Sequence, residues 1–292
     1  MTKRMVIFAG YNRKSQIEDY VLYYLKGLRE IADTLVYVAD NEPSEIYKLQ
    51  LDGIVDNIIF ERHGEYDFGS WKRGLRLASR LSSFNDVEEL VLCNDSCYGP
   101  IFPFSEMFAS MENSACDFWG ITKNCSDVLE HIQSYFLVFK KNVFSSVLFR
   151  DFFEGVTKEK CFWDVVTRYE VGLSRLLIEK GNFRFDVYCP INAGRHNPSY
   201  LGNLLLKNNC PLIKRKLFTT GLSKQSLLRL LCVMPNVIVR RHMVYDYIKY
   251  FPKRIGLGIL RFIYQDKVTK SGHRIIKICK IPFIVVSKEY NF

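Results

Sequence analysis

Leu90-Val91-Leu92-Cys93-Asn94-Asp95-Ser96-Cys97-Tyr98-Gly99-Pro100 is an apolar run that ends on a carboxylate and is then broken by Gly-Pro. An apolar run bounded by turn residues reads as a buried strand, and in open α/β sheets ligands collect beyond the carboxyl ends of such strands. Asp95 therefore stands where chemistry is usually done. A hydrated divalent cation bound with substrate phosphates takes one or two hard oxygen ligands from the protein, and Asp95 with Asn94 or Ser96 offers that donor type. The same residues also serve as a turn or a helix N-cap, because Asn, Asp and Ser side chains bond nearby backbone.

Outward from this run, residues 1–200 alternate short apolar runs with amphipathic segments, the pattern of a layered α/β fold. Strands are expected at Arg4–Ala9, Thr34–Ala39, Asp56–Phe60, Glu89–Cys93, Asp117–Ile121, Ser134–Phe139 and Phe185–Tyr188. Helices are expected at Lys14–Ile31, Pro43–Leu51, Gly69–Leu81, Pro103–Met111, Phe144–Phe153, Val165–Lys180 and Tyr200–Lys207. In the first helix Ile17, Tyr20, Val21, Tyr24, Leu25 and Leu28 recur at three-to-four spacing, so one face packs on the sheet. The helix from Val165 stops at Gly181-Asn182, a normal C-terminal signal.

At 292 residues, 48% hydrophobic and 25% charged, the chain has the composition of a globular protein with a full core. The nine cysteines are scattered, without a C-x-x-C pair, and Cys93-x-x-x-Cys97 lacks a second pair or a nearby His for a zinc site. Reduced, buried thiols are expected. The start of the chain carries no secretory pattern and no apolar run approaches the ~18 residues of a spanning helix, so a cytoplasmic location is expected.

The net charge of +10 is unevenly placed: residues 211–292 hold 17 Lys and Arg against three acids, whereas residues 1–210 hold 24 against 28. Leu222–Met234, Val239–Phe251 and Ile255–Val268 read as short basic helices interleaved with Leu, Ile, Phe and Tyr. Such helices lie at an anionic membrane surface, or pack on the body with a solvated basic face. Nucleic acid is the other anionic partner that a basic tail suits, but no nucleic-acid-binding signature accompanies it, so none is expected.

Several further segments carry polar groups at strand ends. Gly10-Tyr11-Asn12 ends the first strand and Asp40-Asn41-Glu42 the second, and two such ends side by side form a rim for a ligand. In Glu65-Tyr66-Asp67-Phe68-Gly69-Ser70-Trp71-Lys72, a strand-to-helix turn, Asp67 suits a ribose or base donor and Tyr66 or Trp71 can stack on a nucleoside. An Asp N-cap with aromatics facing the core fits equally. His131-Ile132-Gln133-Ser134-Tyr135 precedes an apolar strand, and Gln133 has the donors and acceptors of a sugar contact. Glu170, in an apolar helical stretch, is a candidate general base, although most glutamates are exposed helix residues. His196, in the turn Arg195-His196-Asn197-Pro198, could face a phosphate.

Taken in order, residues 66–72, 92–100, 117–122, 133–136, 169–174 and 196–200 resemble the rhamnan synthesis F family of bacterial polysaccharide glycosyltransferases. The resemblance spans about residues 60–210, with a family look also in Pro211-Leu212-Ile213-Lys214-Arg215. It implies a GT-A-like nucleotide-sugar domain over 1–210, with helices on both faces of its sheet, followed by a basic, amphipathic helical region over 211–292. It also implies transfer of L-rhamnose from dTDP-rhamnose, or of a sugar such as galactofuranose from its UDP form, to a lipid-linked glycan of O-antigen or other cell-surface polysaccharide. On that reading Tyr11, Asp40, Tyr66, Asp67, Trp71, Lys72, Asn94, Ser96, Gln133 and His196 bind the donor. Asp95 is then catalytic and holds the diphosphate through Mg²⁺ or Mn²⁺, and Glu170 is the base of an inverting displacement. The enzyme would sit at the inner face of the plasma membrane through 211–292. Asn94-Asp95-Ser96 departs from the two-carboxylate metal motif of such folds.

Overall fold

Seven of the apolar runs form one sheet, in the computed structural model that describes residues 2–13, 15–124, 130–191, 197–220, 222–250, 264–268, 274–278 and 281–286. Its strands are β1 (Arg4–Gly10), β2 (Thr34–Ala39), β3 (Asn57–Phe60), β4 (Glu89–Asn94), β5 (Phe118–Gly120), β6 (Phe136–Lys140) and β7 (Phe185–Val187). They are ordered β3-β2-β1-β4-β6-β5-β7. Neighbours run parallel except for β6, which is antiparallel to both β4 and β5. The sheet is thus mixed and mostly parallel, as the α/β expectation requires.

Strand β1, third in this order, is buried from Met5 to Gly10, because helices cover both faces. On one face Phe8 meets Tyr24 of α1 (Asp19–Arg29) at 5.2 Å, and Tyr24 meets Phe104 of α4 (Phe104–Met111) at 5.6 Å. On the other, Met5, Ile7 and Ala9 join Phe68 and Trp71 of α3 (Tyr66–Ala78) in the main core. Gly74 lets α3 approach this closely, since a Cβ there would stand 2.4 Å from Cγ2 of Ile7. Strand register then fixes where polar loops can meet. The parallel strands all end on one edge, and β6 starts there, with Phe136 opposite Cys93 of β4 and Leu137 opposite Gly120 of β5.

The chain divides into two compact units, 1–213 and 214–292. The first thus runs three residues past the expected limit of 210. Gly99, at φ 152°, makes room for this segment, because a Cβ there would lie 2.4 Å from the Pro211 carbonyl oxygen, which accepts the Ile101 N–H at 2.8 Å.

The second unit is not wholly helical. Helices Lys224–Val233 and Val237–Tyr250 match two expectations. Of the third expected helix, Ile255–Val268, residues 255–263 lie outside the described residues and Tyr264–Val268 is a strand, paired antiparallel with Arg274–Ile278, which pairs in turn with Ile281–Val286. A run as short as Tyr-Gln-Asp-Lys-Val does not separate helical from strand spacing; here a nearby antiparallel partner decides for the strand. In the two helices Leu227, Leu230, Leu231, Val239, Met243 and Val244 are buried, so much of the apolar face expected to dip into a membrane is already covered. Among the described residues, no helix is long and apolar enough to cross a membrane.

Candidate functional site

The edge where β1 to β4 end is laced by side chains from loops far apart in sequence. The Tyr11 N–H donates to the Asp95 carboxylate at 2.9 Å, and the Tyr20 hydroxyl donates to the Asp95 carbonyl at 3.0 Å. Asp95 therefore ties the β4 end to the β1 end. The Asn94 carboxamide donates to Asp67 at 2.7 Å, while its oxygen accepts the Ser96 N–H at 3.1 Å and the Ser96 hydroxyl at 2.5 Å. The Asp67 bond brings the first turn of α3 against the β4 end. Asn94 is itself 3% exposed, and Ser96 bonds back to it, so both brace the turn between β4 and the Cys97–Tyr98 ribbon.

Asp40 is also a brace. Its carboxylate accepts the N–H groups of His63 (2.8 Å) and Gly64 (3.0 Å), and Arg62 donates to its carbonyl at 2.8 Å. This holds the loop between β3 and α3 against the end of β2. Arg62, not singled out from the sequence, lies with its guanidinium 5.1 Å from the centre of the exposed Tyr11 ring. Its pKa is raised, first by the hydrogen bond to Tyr11 and then by Asp40. His63 has a wholly buried side chain. Its Nδ1 accepts the Glu65 N–H at 3.0 Å, so Nε2 carries the proton and donates to the Ser70 hydroxyl at 3.0 Å. Burial pushes its pKa below the usual value, against the raising effect of Asp40.

One expected donor contact is corrected by its surroundings, and a second residue has a partner within the chain. Trp71 is fully buried, and its indole N–H donates to the Cys93 carbonyl at 3.0 Å, so it supports β4 from the core and cannot stack on a nucleoside. The expectation failed because a Trp one turn into an amphipathic helix faces the sheet as readily as a pocket. Lys72 donates its ammonium to the Val156 carbonyl at 2.7 Å and so anchors the loop that begins there. Tyr66, by contrast, is 44% exposed.

At the β5 and β6 side of the same edge, Gln133 is buried in a network. Its oxygen accepts the Thr122 hydroxyl at 2.7 Å, and its nitrogen donates to Asn197 at 3.0 Å and Ser199 at 3.3 Å. With its groups so used, it fastens loops and does not present itself to a sugar. Glu170 sits on a π turn, Val166–Val171, of a helix that runs over 162–180. Widened turns of this kind frequently mark functional sites. Its carboxylate accepts both the N–H (2.9 Å) and the hydroxyl of Ser134 and lies 3.3 Å from Nε2 of His131. Glu170 is thereby brought to the entry of β6, at the edge where β4 ends. His196 lies outside the described residues.

The Asp95 carboxylate has the hard oxygens that suit a hydrated divalent cation. Among the described residues, however, no three or more His, Cys, Asp and Glu side chains gather to hold a metal unaided. Such a cation fits only if donor phosphates complete its shell.

A mixed α/β sheet with a polar rim at its carboxyl edge is the architecture of proteins that bind a ligand across strand ends. The chain belongs to the rhamnan synthesis protein F family, which it matches over residues 35–279. It is 26% identical over 195 residues, 65% of its own length, to the virulence protein VirA of Vibrio anguillarum (strain ATCC 68554 / 775), and spans 61% of that protein's length. Among solved structures it is similar to the glycosyltransferase GlyE of Streptococcus pneumoniae TIGR4 (9% identity, 87% of this chain and 64% of that one, TM-score 0.43). It is also similar to S. aureus TarS 1-349 (11% identity, 94% and 96%, TM-score 0.41).

Proposed function

We propose that the chain is a glycosyltransferase that moves a sugar from a nucleotide donor to a glycan acceptor in the synthesis of a bacterial polysaccharide. The observation that carries this reading, beside family membership, is the Tyr11–Asp95 and Asn94–Asp67 lacing, which gathers carboxylates and an exposed aromatic on one rim. The nucleotide lies across the ends of β1 to β4, beside the Tyr11 ring and Asp67, with the Arg62 guanidinium offsetting diphosphate charge. Asp95, with the donor's phosphates, would hold a hydrated Mg²⁺ or Mn²⁺, which supplies further charge to the leaving group.

In the displacement, the acceptor hydroxyl oxygen forms a bond to the anomeric carbon as the bond from that carbon to the diphosphate oxygen breaks. The electron pair leaves with the nucleoside diphosphate, and Glu170 takes the hydroxyl proton. Attack opposite the leaving group inverts the anomeric centre. The family name favours L-rhamnose from dTDP-rhamnose as the transferred unit, with a UDP-sugar such as UDP-galactofuranose as the competing donor. A lipid-linked acceptor at the cytoplasmic face of the membrane suits the basic composition of 211–292, each Lys or Arg near anionic lipid adding to retention.

A thermal-shift series of the whole chain with dTDP- and UDP-sugars, with and without Mg²⁺ or Mn²⁺, tests the reading. A ligand at about a hundred times its Kd stabilises the native state by about 2.7 kcal/mol, a clear rise in Tm. Asp95→Ala should abolish that rise and the transfer, while costing about 1 kcal/mol of stability for the lost Tyr11 hydrogen bond. A wild-type Tm unmoved by every nucleotide sugar would overturn the proposal.

A further inference from the structure

Large aromatic side chains in this chain are mostly core residues, and three that are not stand together. Tyr66, Phe162 and Trp163 are 44%, 53% and 71% exposed, with successive ring centres 6.1 and 6.2 Å apart. Neither Phe162 nor Trp163 has a part in the rim around Asp95.

Their surroundings are built and not loose. Tyr66 holds φ at 57°, a left-handed backbone that is unfavourable for a bulky side chain and that concentrates at ligand clamps. The loop leading to Phe162 is fastened at Val156, Thr157 and Glu159. Lys72 donates to the Val156 carbonyl, the Thr157 N–H donates to the Tyr169 hydroxyl at 3.0 Å, and that hydroxyl donates to Glu159 at 2.6 Å. The Lys158 ammonium lies along Gly64, 3.6 Å from where a Cβ would stand, two residues from Tyr66. Tyr66 thus has the Lys158 cation beside Gly64, two residues before it, and the Asp67 carboxylate, tied to the β4 end, one residue after it.

An exposed aromatic row with charged groups at its margin matches a ligand with an apolar face and a polar edge. A sugar ring has that form: its C–H face lies on an aromatic ring while its hydroxyls reach the bordering charges. A single nucleobase would use one ring; three in succession, inclined at 58° and 63° to one another, offer faces to more than one sugar residue. We propose that Tyr66, Phe162 and Trp163 form a stacking platform for the glycan acceptor. The proposal rests on the transferase reading and adds to it where the acceptor chain lies.

Of the three tryptophans, Trp71 and Trp119 are at most 1% exposed, so Trp163 alone reports from the surface. In the whole chain, a rhamnopyranose trisaccharide should shift Trp163 emission and protect it from acrylamide quenching. Phe162→Ala should weaken that binding about tenfold, the loss expected for one good contact, while the nucleotide-sugar thermal shift persists. Trp163→Phe should keep the trisaccharide affinity, read by calorimetry, and lose the emission change. Protection of Trp163 by free UDP or dTDP, or by anionic phospholipid vesicles, in place of the trisaccharide would overturn the platform. So would a trisaccharide that leaves emission and quenching unchanged in a chain whose Tm does rise with nucleotide sugar. A chain that binds no nucleotide sugar while Trp163 still responds to the trisaccharide would instead sink the transferase reading and leave the sugar platform standing.

Discussion

The two sides of the sheet's carboxyl edge use the same chemistry to different ends. At the ends of β1 to β4, acidic side chains accept backbone N–H groups from neighbouring loops, and the exposed Tyr11 and Arg62 stand beside them. At the entry of β6 the acid, Glu170, accepts from Ser134 and faces His131, next to a buried network of Thr122, Gln133 and Tyr135. The first arrangement shapes an open rim and the second stiffens a wall. A carboxylate at a strand end is therefore not evidence of a ligand contact until its hydrogen-bond partners are known.

Substitutions on the two sides break or sharpen this contrast. The largest effect is expected for Trp71→Ala, which empties a core position and strands the Cys93 carbonyl: unfolding free energy should fall by about 3–5 kcal/mol in urea titrations. A Trp71 variant of unchanged stability with weakened donor binding would return that side chain to the site. Asp40→Ala leaves the His63 and Gly64 N–H groups without their acceptor and should cost about 2 kcal/mol, seen as a lower denaturation midpoint. Asp40→Asn, which keeps one acceptor oxygen, should recover part of it.

Glu170→Gln separates brace from base. It preserves an acceptor for Ser134, so the Tm should move little, whereas removal of a general base should cut turnover about 100-fold or more. Normal turnover in this variant would leave Glu170 as part of the wall alone. The smallest effect is a pH dependence from His63. Burial lowers its pKa in the fold below its usual value near 6.5, so the unfolded chain binds its proton first as the pH falls. The neutral His63 contribution is present above about pH 6.5 and is lost progressively as pH drops toward the folded pKa. Urea midpoints between about pH 7 and pH 5 should decline less in His63→Gln than in the wild type.

Much of this architecture was legible in the sequence. All seven strands of the main sheet fall on runs expected from apolar patterning, and α1 lies within the expected Lys14–Ile31 with its face of Tyr20, Val21, Tyr24, Leu25 and Leu28 buried. The helix at 162–180 was expected to begin at Val165, so Phe162 and Trp163 were passed over; two large aromatics opening a helix were the available signal. The strand Tyr264–Val268 lies within an expected helix because Tyr-Gln-Asp-Lys-Val alternates apolar and polar residues over too short a span to separate the two until a partner strand is present.

By itself the sequence determined the periods of burial, and with them the layered α/β fold and the row of polar strand ends from which any site must be drawn. Only the tertiary structure decided which of those polar groups are braces and which line the rim. Apolar periodicity is a local property, repeating every two or 3.6 residues. The partner of a carboxylate is not: Tyr11 meets Asp95 across 84 positions and Asn94 meets Asp67 across 27. Trp71 was placed in the core, and Trp163 in the solvent, by the folding of strands and helices around them and not by anything in their neighbouring residues.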